Sequence, residues 1–474
     1  MGTELPIPKE LWDTIPAAAQ AALLLVFLRY EQRIATLEQQ VAALQQRLNQ
    51  NSTNSSKPPS ADPPAVKRAP PTTPSGKKRG GQPGRLRCQR PLLEPTVVHE
   101  LKPLQCRRCA APLTGTDPQP LPHQVVDLPP IQPIVTEYRC HRLVCAGCGT
   151  STCADLPAAA ASRTGPRLQG VLAFFSGVCR LSKRLVQTVA NDLLNVPLSL
   201  GEVCAQERRT EAALAQPVAE ARAYVQQAAA VHVDETSWRE NKKRGWLWTA
   251  VTTLVSVFLI RPSRAAVVAC ELLGSSAGIV HSDRYSAYHR LPLARRQVCW
   301  AHLRRDFQAM IDRGNGGTAC GQRLLALAND LFYWWHCLLD GYSDRALFEK
   351  KAGRLRRQVR ATLRDGTQSG CARTAGTCAQ ILKVERALWT FVRVAGVEPT
   401  NNAAERALRH AVQWRKTSYG TDSAAGSRFV ESMLTVAASC KQQGRNLLEY
   451  LTACCQALTN GTKPPSLIPV STVK

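Results

Sequence analysis

Long apolar runs are missing from this chain. The longest strongly apolar stretch, Ala21 to Leu28, has 8 residues, whereas a membrane span needs about 20, which excludes an integral membrane protein. Also missing is a basic start feeding an apolar core and a small-residue cleavage site: acids stand at Glu4 and Glu10, so no secretory signal is expected. Acidic residues are scarce beside basic ones, 35 against 61, leaving a net charge of +26 and a pI near 9.8. Such an excess points to a polyanionic partner. Cysteine, in contrast, is plentiful. In the reducing compartment these absences imply, the 18 cysteines read as metal ligands or buried thiols rather than disulfides. At about 150 residues per domain, 474 residues suggest roughly three folded units.

The first organised feature is a heptad seam. Leu23, Phe27, Tyr30, Ile34, Leu37, Val41, Leu44 and Leu48 alternate steps of 4 and 3, with polar residues between them. This spacing predicts a self-associating coiled coil over 1–50, or else an amphipathic helix packed on its own chain. From 51 to 90 the composition turns to Asn, Ser and paired prolines, which predicts a disordered linker. It carries the basic, glycine-rich run Lys77-Lys78-Arg79-Gly80-Gly81, suited to phosphate or minor-groove contact or else a solvated tail.

Two knuckles follow. Cys106-x-x-Cys109 and Cys145-x-x-Cys148 are separated by 35 residues, the pattern of a four-thiolate structural zinc site. Strand-like stretches at Gln124–Leu128 and Ile134–Leu143 suggest a zinc ribbon-like domain over 91–160. Residues 161–227 read as helical. Within them, Leu181 to Leu194 and then Val196 to Val203 resemble a helix–turn–helix with a capped second helix, able to read DNA or to serve as a connector.

From Ala230 the pattern becomes strand-like. Val231-His-Val-Asp234 is an apolar strand ending in an acid, and Gly245–Thr253 and Val255–Ile260 are β-rich. A helix from about Ser263 to Leu273 leads to Gly278-Ile-Val-His-Ser-Asp283, again an apolar strand ending in an acid, and Arg296–Trp300 reads as a further strand before a helix near Ala301. Three antiparallel strands, a crossover helix and a parallel fourth strand form the order of an RNase H-like sheet, which places Asp234 beside Asp283. Adjacent carboxylates suit divalent-metal phosphoryl transfer, since Mg²⁺ takes hard oxygen ligands and leaves room for phosphate and water. Each acid is equally a normal strand-end turn residue. A third acid stands at Glu405 or Glu398, and Glu405 also fits a capping box with Asn402 as N-cap.

Four runs together carry a specific resemblance: His232-Val-Asp-Glu-Thr-Ser-Trp238, His281-Ser-Asp-Arg-Tyr-Ser-Ala-Tyr288, Gln297-Val-Cys-Trp-Ala-His-Leu-Arg-Arg-Asp-Phe307 and Thr400-Asn-Asn-Ala-Ala-Glu-Arg-Ala-Leu-Arg-His410, with Trp414-Arg-Lys416 and Gly426-Ser-Arg-Phe429 behind them. They resemble the DDE transposases of the insertion sequence sixty-six family, over nearly the whole chain. The resemblance implies an acidic triad of Asp234, Asp283 and Glu405 holding two Mg²⁺ (or Mn²⁺) ions. It also accounts for the 122 residues from Asp283 to Glu405, because the family carries a helical insertion there. Family members have a Cys-x-x-His element after the second acid, matched by Cys299 and His302; two ligands are too few to assign a second zinc, and a strand-to-helix packing role stands beside it as an alternative. They often have Asp where Thr400 stands.

The expected architecture is a multidomain α+β chain. A coiled coil (1–50), a linker (51–90), a zinc domain (91–160) and a helical segment (161–227) precede an RNase H-like catalytic domain in two parts, 228–305 and 397–440. A helical insertion (306–396) interrupts that domain, and a C-terminal helix and tail (441–474) close it. The basic residues Arg406, Arg409, His410, Arg415 and Lys416, with Trp414 and Tyr419 for stacking, are expected to hold a DNA end. Trp238, Trp246 and Trp248 are expected in the core. The resemblance implies a bacterial, cytoplasmic, nucleoid-associated enzyme: a polynucleotidyl transferase that cuts double-stranded DNA at terminal inverted repeats and joins it to target DNA. It would act as a homodimer or higher oligomer, with possible small accessory proteins of the element and no membrane partner. The alternatives are a non-catalytic zinc DNA-binding regulator and an RNase H-like structure-selective nuclease.

Overall fold

The computed structural model describes residues 8–55, 62, 91–157, 160–314 and 316–469; Lys77, Lys78 and Arg79 lie outside them. A short helix α1 (Lys9–Trp12) precedes α2 (Ala17–Leu48). The seam residues Tyr30, Ile34, Leu37, Val41, Leu44 and Leu48 are exposed on α2 and Leu23 and Phe27 are half-buried, so most of the apolar stripe is left uncovered by the described residues. Among the described residues no helix is long and apolar enough to cross a membrane.

The cysteine-rich segment contains one two-stranded ladder, β1 (Arg142–Val144) antiparallel to β2 (Ser151–Cys153). The strand expected at Gln124–Leu128 does not form, and of the one expected at Ile134–Leu143 only its last two residues join β1. Prolines at 122, 129, 130 and 133 flank both stretches, fixing φ and lacking an N–H at the positions where either strand would be extended. Between 91 and 157 only Cys106 and Gln124 are less than fully exposed, so this segment has no apolar core.

Three helices lead into the main body: α3 (Pro166–Gly177), α4 (Lys183–Asp192) and α5 (Leu200–Gln227). Ser182 and Ser199 cap α4 and α5, accepting from Leu185 N and Glu202 N. Residues 193–199 separate α4 from α5, and Leu172, Val186, Ala190 and Val203 form a small core beneath them.

The central sheet contains β3 (Ala230–Glu240), β4 (Lys243–Val251), β5 (Ser256–Arg261), β6 (Ile279–Ser282) and β7 (Arg296–Val298), with α6 (Ala266–Leu273) crossing from β5 to β6. The strand order is β5-β4-β3-β6-β7. The first three strands are antiparallel, and β6 and β7 are added parallel to β3. The chain continues through α7 (Trp300–Asp312), α8 (Thr318–Leu339), α9 (Arg345–Gly366), α10 (Ala372–Lys383) and the single-turn α11 (Glu385–Leu388) and α12 (Thr390–Arg393). It then returns as α13 (Asn402–Ser418), α14 (Ala424–Gln442) and α15 (Leu447–Asn460).

Two cores follow from this path. The sheet, α5, α6, α13, α14 and α15 share one, centred on Trp248, Phe258, Leu214 and Met433. The helices after β7 build a second around Trp300, Phe307, Phe348, Trp389 and Phe391. The insertion therefore builds an apolar interior largely of its own, joined to the sheet through Val298 of β7 and Ile279 of β6. Both sheet edges are closed. On β5, the amides of Ser256, Phe258 and Ile260 donate to Ser439 Oγ, Thr435 Oγ1 and Glu431 Oε1 of α14. Every second strand residue meets every fourth helix residue, because two strand steps and four helix steps are each roughly 6–7 Å. At β7, Thr390 donates to Arg296 O and Phe391 N donates to Gln297 Oε1.

Candidate active site

His232 pairs with His281 across β3 and β6. Two residues on, the same register brings Asp234 level with Asp283, and side chains two apart share a face of the sheet. The histidine rings stack at 3.9 Å between centroids, 23° from parallel, forming the floor below the two acids. Strands in a sheet lie about 4.8 Å apart, so these carboxylates are neighbours although 49 residues separate them. Neither forms an ion pair among the described residues. Burial holds the Asp234 carboxyl well above its usual range, and the charges of Glu235, Asp283 and Glu405 push it the same way. Burial also raises Asp283, against the pull of its own contact with Tyr285 N and of Arg264, Arg284 and Arg296.

Glu405 sits on the first turn of α13. Its Oε1 lies 3.2 Å from Arg305 and 3.5 Å from His302 Nδ1, both on α7. The N-cap is Asn401, not the expected Asn402, and its side chain does not cap. Asn401 is fully buried. Its Nδ2 donates to Val233 O at 2.7 Å, its Oδ1 faces His232 Nδ1 at 3.2 Å, and its backbone amide donates to Cys299 Sγ at 3.1 Å. The capping amide has been spent on tying the start of α13 to the strand residue before Asp234.

On the opposite face of β3, Glu235 is enclosed. Arg264 reaches its Oε1 at 2.7 Å and Tyr288 Oη donates to its Oε2 at 2.5 Å. Arg264 stacks over Tyr285 and Trp246, at 3.8 and 4.7 Å from the ring centroids. Glu235 thereby clamps the turn that follows Asp283. In the sequence, the only signal of this role is its place directly after Asp234.

The basic residues divide into two groups. Arg406, Arg409, His410 and Lys416 are exposed on α13, as is Tyr419 after it. Arg415 instead donates to Thr236 Oγ1 at 2.9 Å and to Ser237 Oγ at 2.6 Å, fastening α13 to β3. Trp414, expected as a stacking surface, is buried in the sheet core, because α13 turns that face inward with Leu408 and Ala411. Trp238 and Trp248 are fully buried as expected, and Trp246 is half-buried.

The cysteine pairs form matching turns. Ala110 N donates to Cys106 O and Gly149 N to Cys145 O. Ala110 and Gly149, each four residues after the first cysteine, both adopt positive φ, 56° and 70°. Neighbouring amides of Arg108 and Cys109 lower the Cys106 thiol, and the Thr150 hydroxyl lowers Cys148. Among the described residues the two knuckles do not converge on one set of ligand atoms. The group that does converge is Cys299, His302 and Glu405, whose ligand atoms lie within 4.8 Å of one another.

Hard oxygen donors, buried together and in no ion pair among the described residues, fit an oxygen-ligated divalent cation at Asp234 and Asp283, with Glu405 on the neighbouring helix. The chain matches the family described as "Transposase IS66 family" over residues 182–428. That is more than half its length, and the chain belongs to this family. Residues 8–90 match a second family, described as "Family of unknown function (DUF6444)". A relative from Sinorhizobium fredii, "Uncharacterized protein y4qI", is 25% identical over 248 residues, covering 46% of this chain and 44% of that protein. The match thus spans less than half of the relative's length. No solved structure matches.

Proposed function

We propose that the chain is a DDE-type transposase, a polynucleotidyl transferase that cuts DNA at the ends of its element and joins the freed ends to target DNA. The observation that supports the reading is the parallel register of β3 and β6, in which His232 pairs with His281 two residues before Asp234 and Asp283, with the helix of Glu405 tied to β3 by Asn401. The strand order supports an RNase H-like catalytic domain into which the helices α8 to α12 are inserted.

Asp234, Asp283 and Glu405 would hold Mg²⁺ or Mn²⁺, which supplies activation of the attacking oxygen and stabilisation of the leaving one. The chain's own residues bind and orient. Arg406, Arg409 and Lys416 line the solvent side of α13, beginning one residue after Glu405, and can grip backbone phosphates at the point of cleavage. Arg305 holds Glu405 from the other side, and Asn401 and Arg415 keep α13 seated on β3. Hydrolysis at the element end frees a 3′-OH, which then attacks a target phosphodiester; no covalent protein–DNA intermediate is required.

The uncovered seam of α2 supports pairing of subunits, so that both ends are held together. A segment of 67 residues with no apolar core and two matching thiol turns supports a structural zinc at Cys106, Cys109, Cys145 and Cys148, since such a segment needs a cross-link to hold one shape. With the basic run Lys77-Lys78-Arg79 and the α4–α5 pair, it would recognise the terminal repeats.

Labelled element ends incubated with the protein, with and without Mg²⁺, and scored for cleavage and for joining to a plasmid test the reading. Metal-dependent cleavage followed by joining supports it. Cleavage without joining identifies a nuclease, and binding without cleavage, unchanged when candidate accessory proteins are added, identifies a regulator. Asp234→Asn is expected to retain end binding and lose cleavage.

A further inference from the structure

Cys299, His302 and Glu405 present a sulfur, a nitrogen and an oxygen within 4.8 Å of one another, a donor set unlike the all-oxygen one of Asp234 and Asp283. We infer that these three side chains form a second divalent site, selective for zinc-class ions, and that its occupation takes Glu405 away from the carboxylate pair. The consequence for activity rests on the proposed role of Glu405; the metal binding itself does not.

Three observations carry the site. First, the spacing is right. His302 Nδ1 and Glu405 Oε1 stand 3.5 Å apart, and two ligands on a tetrahedral zinc with bonds of about 2.0–2.1 Å are separated by about 3.3 Å. Second, His302 Nδ1 is enclosed and makes no hydrogen bond. A buried ring nitrogen without a partner costs free energy that a bound cation would recover. Third, the sulfur is placed. Cys299 is the N-cap of α7, and Asn401 N donates to its Sγ at 3.1 Å; burial pushes the thiol up to about 11, so the proton is displaced by the incoming ion and not lost beforehand. Cys299 and His302 lie on the cap and first turn of one helix, so little reorganisation is needed to bring both to one ion. The thiol proton leaves to solvent as the ion enters.

Softness sets the selectivity. Thiolate and imidazole favour zinc and its neighbours, whereas Mg²⁺ favours carboxylate and water. The two sites therefore compete for one side chain while drawing on different ions. Three protein ligands leave one tetrahedral position open for water.

Cobalt(II) added to the full-length protein, without DNA, tests the site through its thiolate charge-transfer and ligand-field absorption. The knuckle cysteines also bind the probe, but they are common to wild type and Cys299→Ser, so the difference spectrum isolates this site. The expected result is a thiolate contribution lost in Cys299→Ser, and cobalt affinity lowered by about 10–100-fold in His302→Asn. Zinc should displace the cobalt. Glu405→Gln, at a half-exposed position, keeps the test decisive should Cys299→Ser fail to fold, and it too should weaken the site by at least about tenfold. Spectra and affinity unchanged in folded Cys299→Ser, or affinity unchanged in Glu405→Gln, overturn the inference. Neither readout needs cleavage, so a failure here and a failure of the transposase reading are separable.

Discussion

The side-chain amide of Asn401 donates to Val233 O at 2.7 Å, fixing the helix of Glu405 to the strand position immediately before Asp234. This one bond spans 168 residues of sequence. With the contacts of Asn401 to His232 and Cys299, it makes the relative placement of the acids a property of a buried side chain that touches none of them.

Asn401→Leu should therefore destabilise the protein by about 1–3 kcal/mol through the unsatisfied Val233 carbonyl and His232 ring. Divalent-ion binding should also weaken, because Glu405 is no longer held in register. Chemical denaturation and calorimetric titration with Mn²⁺ measure the two effects. Loss of stability with unchanged ion binding would leave Asn401 a purely structural residue.

Asp234→Asn and Asp283→Asn should preserve or raise the melting temperature in the absence of divalent ions, since each removes a buried, self-repelling charge. In wild type, Mg²⁺ at 100 times its dissociation constant should add about 2.7 kcal/mol of stability, and in the variants it should add much less. Melting curves with and without Mg²⁺ decide this; an equal shift in all three proteins would place the ion elsewhere.

The histidine floor predicts an acid limb. Burial lowers His232 to about 4 and His281 to about 3, with Arg406 and His232 respectively adding to the effect. The neutral rings thus contribute stability that is fully present above about pH 6.5 and is lost as pH falls through about 4 and then about 3. The raised carboxyls of Asp234 and Asp283 act in the opposite sense, so the comparison is between proteins. Stability of His281→Asn should fall less steeply below pH 6.5 than that of wild type, by up to about 1.4 kcal/mol per pH unit. Parallel curves would refute a neutral buried His281.

Tyr288→Phe should cost about 1–3 kcal/mol, because it leaves a buried oxygen of Glu235 without the donor it has in the Tyr288 hydroxyl. It should lower cleavage as well, by loosening the turn after Asp283. Full activity in a measurably destabilised Tyr288→Phe protein would separate the clamp from the site.

Ile34→Asp or Leu37→Asp on the exposed seam of α2 should convert an oligomer to a monomer in analytical ultracentrifugation while leaving the melting of the sheet domain unchanged. A wild-type monomer at micromolar concentration would dismiss the seam as an interface.

The sheet was legible because its strands alternate or run apolar between turn signals, and the two acids were legible because each follows a short apolar run, although Asp234 does not end its strand as expected: β3 continues to Glu240, while Asp283 comes directly after β6. The insertion showed as apolar and basic helices over Leu324–Leu339 and Lys350–Arg364, which fall inside α8 and α9. What sequence could not supply were relationships settled in three dimensions. Trp414 and Arg415 sit in a basic run that looks solvated, yet the face of α13 that meets β3 turns both inward. Asn401 and Asn402 are equivalent cap candidates until one of them is spent on Val233. Cys299 and His302 are two ligands in sequence, and the third arrives only when α13 folds back beside α7. The expected ribbon strands failed where proline spacing outweighed β-propensity.

The α14 side chains that occupy the amides of β5 have a topological consequence. With Glu431, Thr435 and Ser439 on one margin and Thr390 with the Phe391 amide on the other, neither edge of the sheet has a free row of donors and acceptors to offer another chain. Docking by strand addition is thereby foreclosed at these margins, and a crowded assembly of several copies cannot zip through its central sheets. Copies that meet must do so through surfaces other than these two edges.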